Sequence, residues 1–307
     1  MKIRTKEIRQ YLTQLVASMV IGIAAIGIGV AAPLELPPLV QPASGERHPG
    51  KVIWVDLVTP DLAGAKRFYG ALFGWSFQDV PGDEKNFSLA MLNGEPVGGL
   101  IQRAMQPGAP RQPNWLTFIS VVDVTEAQRV VLARGGKVLS APRTYPQRGR
   151  QAVFADPHGA PFAVLQSSSG DPKDELADPG EWIWSSLVTP DPDKDAAFYQ
   201  AVFGYEVFEL PSEDGLEHVL LANDDYARVS LNELPQRGAK SYPHWLNFVR
   251  VISASDAVAK VVALGGKILV APQPDRHGGL VAVVADPAGA PFGLLEWPAA
   301  NSKEVVK

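Results

Sequence analysis

The segment FYGALFG at Phe68–Gly74 decides the fold, because it returns 130 residues later as FYQAVFG at Phe198–Gly204. Other segments repeat at the same offset: Trp54–Pro60 with Trp184–Pro190, Pro113–Phe118 with Pro243–Phe248, Gly135–Pro142 with Gly265–Pro272, and Ala155–Phe162 with Ala285–Phe292. A constant offset of this length indicates two copies of one compact unit and not a solenoid of short repeats. The sequence therefore predicts two similar concave surfaces in one chain.

Each copy shows strand and helix patterns in the same order. In the first copy, an apolar strand pattern at Lys51–Thr59 is followed by Asp61, a residue type that caps helices. Apolar residues then recur at helical spacing from Leu62 to Leu72, and Gly74 is typical of a helix end. Further strand patterns and a second short helix follow before Gln166. The order predicts two βαβββ modules per copy, with the strands paired into a curled mixed sheet of an α+β fold.

The first residues have a composition of their own. Lys2, Arg4, Lys6 and Arg9 precede an apolar run over residues 15–32. This pattern is typical of an export signal or a membrane anchor, and both alternatives stay open. We therefore expect the repeats to be exported, to the periplasm or the extracellular space, with the possibility of anchoring in the inner membrane through residues 15–32.

The whole chain divides into six segments on this basis. They are a signal peptide or anchor at 1–34, a proline-rich extended tether at 35–50, a first domain at 51–166, a linker at 167–180, a second domain at 181–298 and a tail at 299–307. Each domain can supply both of its own modules, so a monomer with pseudo-symmetric repeats is compatible with the pattern.

Composition excludes several classes of function. The formal net charge is −5 and no basic cluster occurs beyond the first ten residues, so a nucleic-acid partner is not expected. The chain has no cysteine, which excludes disulfides, zinc–thiolate sites and cysteine nucleophiles.

FYGALFGW at Phe68–Trp75, the Trp-Leu-X-Phe strand at Trp115, the Gly-Gly-Lys turn at Gly135 and DPHGAPFAVLQ at Asp156–Gln166 together resemble the vicinal oxygen chelate superfamily. That superfamily includes glyoxalase I, extradiol dioxygenases and bleomycin-resistance proteins, and the motifs fit best its tandem glyoxalase-like branch. The resemblance implies a bowl in each domain, formed by two βαβββ modules.

Enzymes of this superfamily usually bind a divalent metal through His and Glu side chains on the concave face. The resemblance places three of these ligand positions at Trp54, Leu116 and Ala163 in the first domain, and at Trp184, Leu246 and Gly293 in the second. The fourth falls on the strand at residues 97–102 or its repeat at 227–232, with no residue assigned. Because none of the assigned side chains can ligate a divalent ion, no metal site and no cofactor are predicted, and a divalent metal is the alternative.

The opening strands offer a different kind of site. Trp54 and Asp56 alternate onto one face, as do Trp184 and Ser186, so each bowl is expected to hold an indole beside a polar group. Such a site suits a small organic ligand. The alternative is that both indoles fill the core. Trp115 and Trp245, on the later strands, complete the candidate ligand-binding tryptophans.

Two histidines are also considered. His244 lies beside Trp245 at a strand entry, either as a rim residue bonded to a loop or as a base or hydrogen-bonding group at the mouth of the bowl. His158 lies in a turn where the other repeat has Ala288, which favours a solvated side chain.

The sequence is compatible with three functions. The first is an exported protein that binds a small organic molecule without metal chemistry. The second is a metal-dependent lyase, isomerase or dioxygenase that uses ligands not aligned here, and its catalytic residues are unknown. The third is an interaction module of the cell envelope whose bowls are filled.

Overall fold

The computed structural model describes residues 34–80, 86–105, 112–210, 218–234, 242–275 and 278–297. The apolar N-terminal segment, which we expect to be a helical signal or anchor, and the tail at 299–307 lie outside these ranges. None of the helices within the described ranges combines the length and the hydropathy that a membrane span requires.

Each domain contributes strands and helices in the same order. The first has β1 Val52–Thr59, α1 Leu62–Phe73, β2 Ser76–Asp79, β3 Phe87–Leu92, β4 Glu95–Gln102, β5 Asn114–Ser120, α2 Val124–Ala133, β6 Lys137–Tyr145, β7 Gly149–Ala155 and β8 Pro161–Ser167. The second has β9 Trp182–Thr189, α3 Pro192–Phe203, β10 Glu206–Glu209, β11 His218–Asn223, β12 Tyr226–Glu233, β13 His244–Val251, α4 Ala254–Ala263, β14 Lys267–Pro274, β15 Leu280–Ala285 and β16 Pro291–Glu296.

Each domain forms one mixed sheet of eight strands, in the order β2-β3-β4-β1-β5-β8-β7-β6 and its equivalent β10-β11-β12-β9-β13-β16-β15-β14. Within a module the first strand pairs in parallel with the last, as β1 does with β4, and the two modules join through the antiparallel pair β1 and β5. The predicted tandem α+β fold of two βαβββ modules per domain is therefore confirmed.

The edge strands β2 and β6 had no assignment from the sequence. Their side chains are mostly exposed, so they lack the apolar alternation that marks a half-buried strand. The helix ends, in contrast, follow the sequence. The Asp61 carboxylate accepts a hydrogen bond from the Gly64 amide, and Gly74 ends α1 in the left-handed conformation, with φ of 77°.

The two domains share their cores. Helix α1 of the first domain and α4 of the second lie in one apolar cluster that includes Phe68, Tyr69, Trp115, Val258 and Phe292. Helices α2 and α3 lie in the equivalent second cluster. The helices thus cover the inner face of each sheet. We name the opposite face of the first sheet, with Trp54, Asp56, Leu116 and Phe118, the first bowl.

The second bowl is the corresponding face of the second sheet, with Trp184, Ser186, Leu246 and Phe248. At the point where the sheets meet, the Asn247 carboxamide oxygen accepts hydrogen bonds from Ser185 Oγ at 2.7 Å and Thr117 Oγ1 at 3.1 Å. Asn247 is fully buried, and the bond from Thr117 joins the first domain to the second.

Residues 34–50 form neither helix nor strand, but they do not stand free of the domain as an extended tether would. Leu36 and Leu39 are buried in the apolar cluster of the first bowl. The backbone amides of Leu39 and Val40 both donate to Ser169 Oγ at 3.1 Å. The linker is likewise partly buried through Ser169 and Asp171. The sequence does not predict these contacts, because two isolated leucines among prolines and polar residues define no periodic pattern.

Candidate functional site

The strand registers show which residues share each bowl. Trp54 lies opposite Phe118 and Asp56 opposite Leu116, so all four side chains are on one face of the first sheet. In the second sheet, Trp184 lies opposite Phe248 and Ser186 opposite Leu246. The two bowls therefore carry equivalent indoles with different polar neighbours, as the alternation along the opening strands predicts.

The residues at the family's metal positions do not fit a divalent ion. They are an indole, a leucine and an alanine in the first bowl, and an indole, a leucine and a glycine in the second. On the fourth strand of the first domain, Gly99 pairs with Asp56. On the fourth strand of the second domain, Ser230 pairs with Ser186. Within the described ranges, no three His, Cys, Asp or Glu side chains are grouped closely enough to hold an ion. The described residues at these positions therefore provide no set of ligands for a metal ion.

In the first bowl, the Trp54 indole contacts both a buried carboxyl group, Asp56, and a buried guanidinium, Arg148. Trp54 Nε1 donates to Asp56 Oδ1 at 2.8 Å, and the Arg148 guanidinium carbon lies 4.2 Å from the centre of the Trp54 ring. Gly99 makes room for this arrangement, because a Cβ at that position would lie 2.1 Å from Asp56 Oδ1. Asp56 is only 5% exposed and Arg148 only 2%.

Burial dominates the titration of both charged groups. It raises the pKa of Asp56 to about 6, against the opposing effects of the Trp54 N–H and the Arg148 charge. Burial also lowers the pKa of Arg148 to about 10, so this guanidinium stays charged near neutral pH.

The raised pKa of Asp56 predicts a pH dependence of stability. Between the ordinary pKa of 3.8 and about 6, the folded protein binds a proton that the unfolded chain has released. Linkage then requires this group's contribution to the free energy of unfolding to decrease as pH rises through that window, by about 3 kcal/mol in total. Urea unfolding of wild type and Asp56→Asn from pH 4 to pH 7 measures the difference. A constant offset between the two proteins over this range would contradict the assignment.

The first bowl is also filled by the chain itself. Leu36 and Leu39 pack into the cluster that contains Trp54, Leu116 and Phe118. This outcome matches the alternative in which the indole lies in a filled core. In the second bowl, Trp297 packs against the cluster of Leu246, Phe248 and Leu295.

The second bowl holds a cluster of uncharged polar groups. Trp184 Nε1 donates to Ser230 Oγ at 3.0 Å, and Ser230 Oγ lies 2.7 Å from Ser186 Oγ. Further along the same face, His218 Nδ1 lies 2.9 Å from Asn232 Oδ1. Trp184 is half-buried, whereas Trp54 is buried.

A half-open recess lies on this same face, along the edge strand β10 and the hairpin of β11 and β12. It has a volume of about 300 Å³ and is lined by Glu206, Phe208, Leu220, Ala222, Asn223, Asp225 and Ala227. Leu220 lies opposite Ser230 in the strand register, which places the recess on the bowl side of the sheet. A volume of this size is at the lower end of the range for small-molecule sites.

His244 lies at the edge of the second bowl, opposite Val188. Its Nδ1 is 2.8 Å from the backbone oxygen of Tyr242, and because a carbonyl only accepts, Nδ1 carries the proton. Burial lowers the pKa of the ring, so the neutral form is favoured. The remaining nitrogen, Nε2, is then a hydrogen-bond acceptor, which combines the two alternatives considered for this residue.

Trp115 and Trp245 do not lie in the bowls. Both are buried on the helix side of their sheets, where Trp115 Nε1 donates to Tyr69 OH at 3.0 Å and Trp245 Nε1 to Tyr199 OH at 3.1 Å. The prediction that these two tryptophans bind a ligand in the bowls is therefore wrong. Adjacent strand residues face opposite sides of a sheet, and it is the neighbours Leu116 and Leu246 that face the bowls.

His158 is not a solvated turn residue. Its Nδ1 lies 2.8 Å from Oδ1 of Asp195, a fully buried residue of the other domain. No pattern in the sequence identifies two residues of the bowls, Arg148 and Ser230. Arg148 lies outside the repeated motifs, and Ser230 replaces a glycine, Gly99, so that only the register shows its place.

Comparisons with known proteins agree with this architecture. The profile of the Glyoxalase/Bleomycin resistance protein/Dioxygenase superfamily matches residues 51–164, and that of the glyoxalase-like domain matches residues 184–295. The fold and both matches define a tandem protein of the vicinal oxygen chelate type. The chain belongs to the Glyoxalase/Bleomycin resistance protein/Dioxygenase superfamily.

Two relatives are similar over nearly their whole length. "Putative glyoxylase CFP32" of Mycobacterium bovis is 34% identical over 260 residues, which cover 83% of this chain and 98% of the relative. "Anthracycline biosynthesis protein DauV" of a Streptomyces species is 31% identical over 271 residues, which cover 82% and 96%.

Solved structures share the fold at low sequence identity. The Mn(II)-bound glyoxalase from Novosphingobium aromaticivorans has a TM-score of 0.55 and 17% identity, and the alignment covers 83% of this chain and 89% of that one. An extradiol ring-cleaving dioxygenase from B. fuscum has a TM-score of 0.57 and 12% identity, with coverage of 87% and 77%. At these identities the likeness shows the fold alone.

Proposed function

We propose that the second bowl binds a neutral small organic molecule with a flat apolar body, without metal chemistry. The observation that carries this proposal is the half-buried indole of Trp184, held by Ser230 beside the Ser186 hydroxyl. The wall around it is apolar and includes Leu246, Phe248 and Leu295. An apolar surface with a few fixed polar groups is the usual composition of a small-molecule site.

The chemistry of the polar groups defines the ligand further. The Ser186 and Ser230 hydroxyls can donate or accept, and His244 Nε2 accepts, so the ligand is expected to carry hydroxyl or carbonyl groups at its edge. A flat ring system can stack on the Trp184 face. The printed name of the relative DauV, which places it in the biosynthesis of anthracyclines, supports a multi-ring aromatic ligand.

The metal-dependent enzyme is the alternative within the same superfamily. It receives support from the name of the CFP32 relative, but the donor groups at the ligand positions do not fit it. The third reading, an interaction module with filled bowls, is supported for the first bowl by Leu36 and Leu39.

We further propose that the apolar run at residues 15–32 exports the domains or anchors them in the inner membrane. The supporting observation is the basic start followed by an uncharged apolar segment. Recovery of the full chain only in the cytosolic fraction of its own cells would oppose this proposal.

Binding of 1,8-dihydroxyanthraquinone, measured by calorimetry, tests the ligand site. Trp184→Leu should weaken binding at least about tenfold, because it removes the stacking face and the partner of Ser230. The matched control is Trp54→Leu, the equivalent change in the first bowl, which should leave the affinity within about twofold.

Two results would oppose the proposal. The first is an affinity that depends on Trp54 and not on Trp184. The second is an affinity that rises strongly with added Mn²⁺, which would favour the metal-dependent alternative. Thermal unfolding of both variants shows whether each remains folded under the conditions of the titration.

A further inference from the structure

The first bowl contains a buried cation whose hydrogen-bonding capacity is not used. Arg148 is 2% exposed, and its Nε and Nη1 have no hydrogen-bond partner. The nearby carboxylate of Asp56 accepts from Trp54, and no hydrogen bond joins it to Arg148. Buried guanidinium groups are normally paired, because unpaired charged donors are strongly destabilising. Asp56 interacts with Arg148 through its charge, but the Arg148 Nε and Nη1 donors lack an oxygen acceptor.

The fold itself does not require this arginine. The residue 130 positions further on, in the second domain, is Gly278, and that domain forms the same eight-stranded sheet. Arg148 stacks on the Trp54 ring, which lies in the bowl, so its guanidinium faces the cavity side of the sheet. A buried, charged side chain with two unbonded N–H donors and no counterpart in the repeat points to a ligand.

The present occupant of the first bowl is the tip of the N-terminal segment, residues 34–40. It is held by the side chains of Leu36 and Leu39 and by two backbone amides that share one hydroxyl, Ser169 Oγ. Pro37 and Pro38 have no N–H to donate. The tip makes no strand pairing with either sheet edge.

The base of the same segment is held much more firmly. Ser44 Oγ donates to the Asp171 carbonyl at 2.8 Å, and the His48 amide donates to Asp171 Oδ2 at 2.7 Å. Residues 41–43, between the tip and the base, are exposed. The tip can therefore leave the bowl while the base stays attached.

We propose that the first bowl is a second binding site, for a molecule with an aliphatic body and one carboxylate, and that this ligand displaces the tip at residues 34–40. The carboxylate pairs with Arg148, which supplies the missing acceptor. The aliphatic body takes the place of the Leu36 and Leu39 side chains against Leu89, Leu116 and Leu165.

The proposal rests on the first bowl and is independent of the function proposed for the second. It explains why the first bowl has a charged group and a covering segment, while the second has serines and a half-buried indole. Because the tip competes with the ligand, the measured affinity equals the affinity of the free bowl multiplied by the fraction of protein whose tip has left the bowl.

Calorimetric titration of the full chain with octanoate tests the proposal. The double variant Leu36→Ser/Leu39→Ser weakens the tip and should bind octanoate at least about tenfold more tightly than wild type. Adding Arg148→Met to that variant should reduce the affinity at least about tenfold. Octanol, which lacks the charge, should bind equally with or without Arg148.

Controls separate the outcomes. Trp184→Leu should leave octanoate binding unchanged, and dependence on Trp184 would move the site to the second bowl and overturn the proposal. Equal octanoate affinity in wild type and the tip variant, no binding in either, or insensitivity to Arg148 would each overturn it. If Arg148→Met does not fold, Arg148→Gln replaces it, since the amide keeps an N–H donor without the charge.

Discussion

The double replacement Tyr69→Phe/Tyr199→Phe should lower the free energy of unfolding by about 4 to 6 kcal/mol, and each single replacement by about 2 to 3 kcal/mol. The Tyr199 hydroxyl accepts from Trp245 Nε1 at 3.1 Å and donates to Asp156 Oδ2 at 3.0 Å. Phe leaves the buried indole N–H and the buried carboxylate oxygen without these partners. The effect is large because neither group can reach water.

The same chain of bonds occurs a second time with the domains exchanged. Tyr69 OH accepts from Trp115 Nε1 at 3.0 Å and donates to Asp286 Oδ2 at 3.2 Å. In each chain of bonds the tyrosine and the aspartate come from different domains, so the bonds join the domains as well as stabilising each core. Since the two sites share no partner, their effects should add.

Urea unfolding at pH 8 measures these changes. Tyr242→Phe is the matched control, because Tyr242 is 47% exposed and should change stability by less than about 0.5 kcal/mol. Single variants that match this control would show that the hydroxyls contribute nothing. A double variant that loses only as much as one single variant would show that the two sites are coupled.

The sequence predicts the tandem fold because the repeat supplies each motif twice, in register. It also predicts that Trp54 shares a face with Asp56, since alternation along a strand requires it. It does not show which face the helices cover. The strand at Trp115 is buried on both faces, so its own pattern does not show whether Trp115 or Leu116 faces the bowl. Only the ligand position that the resemblance places at Leu116 indicates that Trp115 faces the helices.

The contacts between segments that are distant in the sequence could not be predicted for a different reason. Leu36 and Leu39 stand among prolines and polar residues, where no periodicity reveals a buried face. Arg148 looks like a turn residue, and only its burial against Trp54 marks it as unusual. In both cases the information lies in the tertiary packing of the first bowl and not in the local pattern.

Restoring a carboxylate at Gly293 should not restore a metal site. A Cβ at this position would lie 2.0 Å from Cδ1 of Phe248, which faces it across the strand pair. We expect Gly293→Glu to lower the free energy of unfolding by about 3 to 5 kcal/mol, through overpacking and burial of a charge. Thermal or urea unfolding measures this loss.

The variant Gly293→Glu/Phe248→Ala separates the effect of limited space at position 293 from the effect of missing metal ligands. Removal of the ring makes room for the glutamate, so stability should partly recover relative to Gly293→Glu alone. Metal binding should still be absent by elemental analysis after dialysis against Mn²⁺, because Trp184 and Leu246 remain in place of ligands. Stoichiometric Mn²⁺ in either variant would mean that other donors complete the site, and the metal-free reading of the second bowl would then fail. Space at Gly293 is thus one obstacle, and the missing donors on the opening strand and β13 are the other.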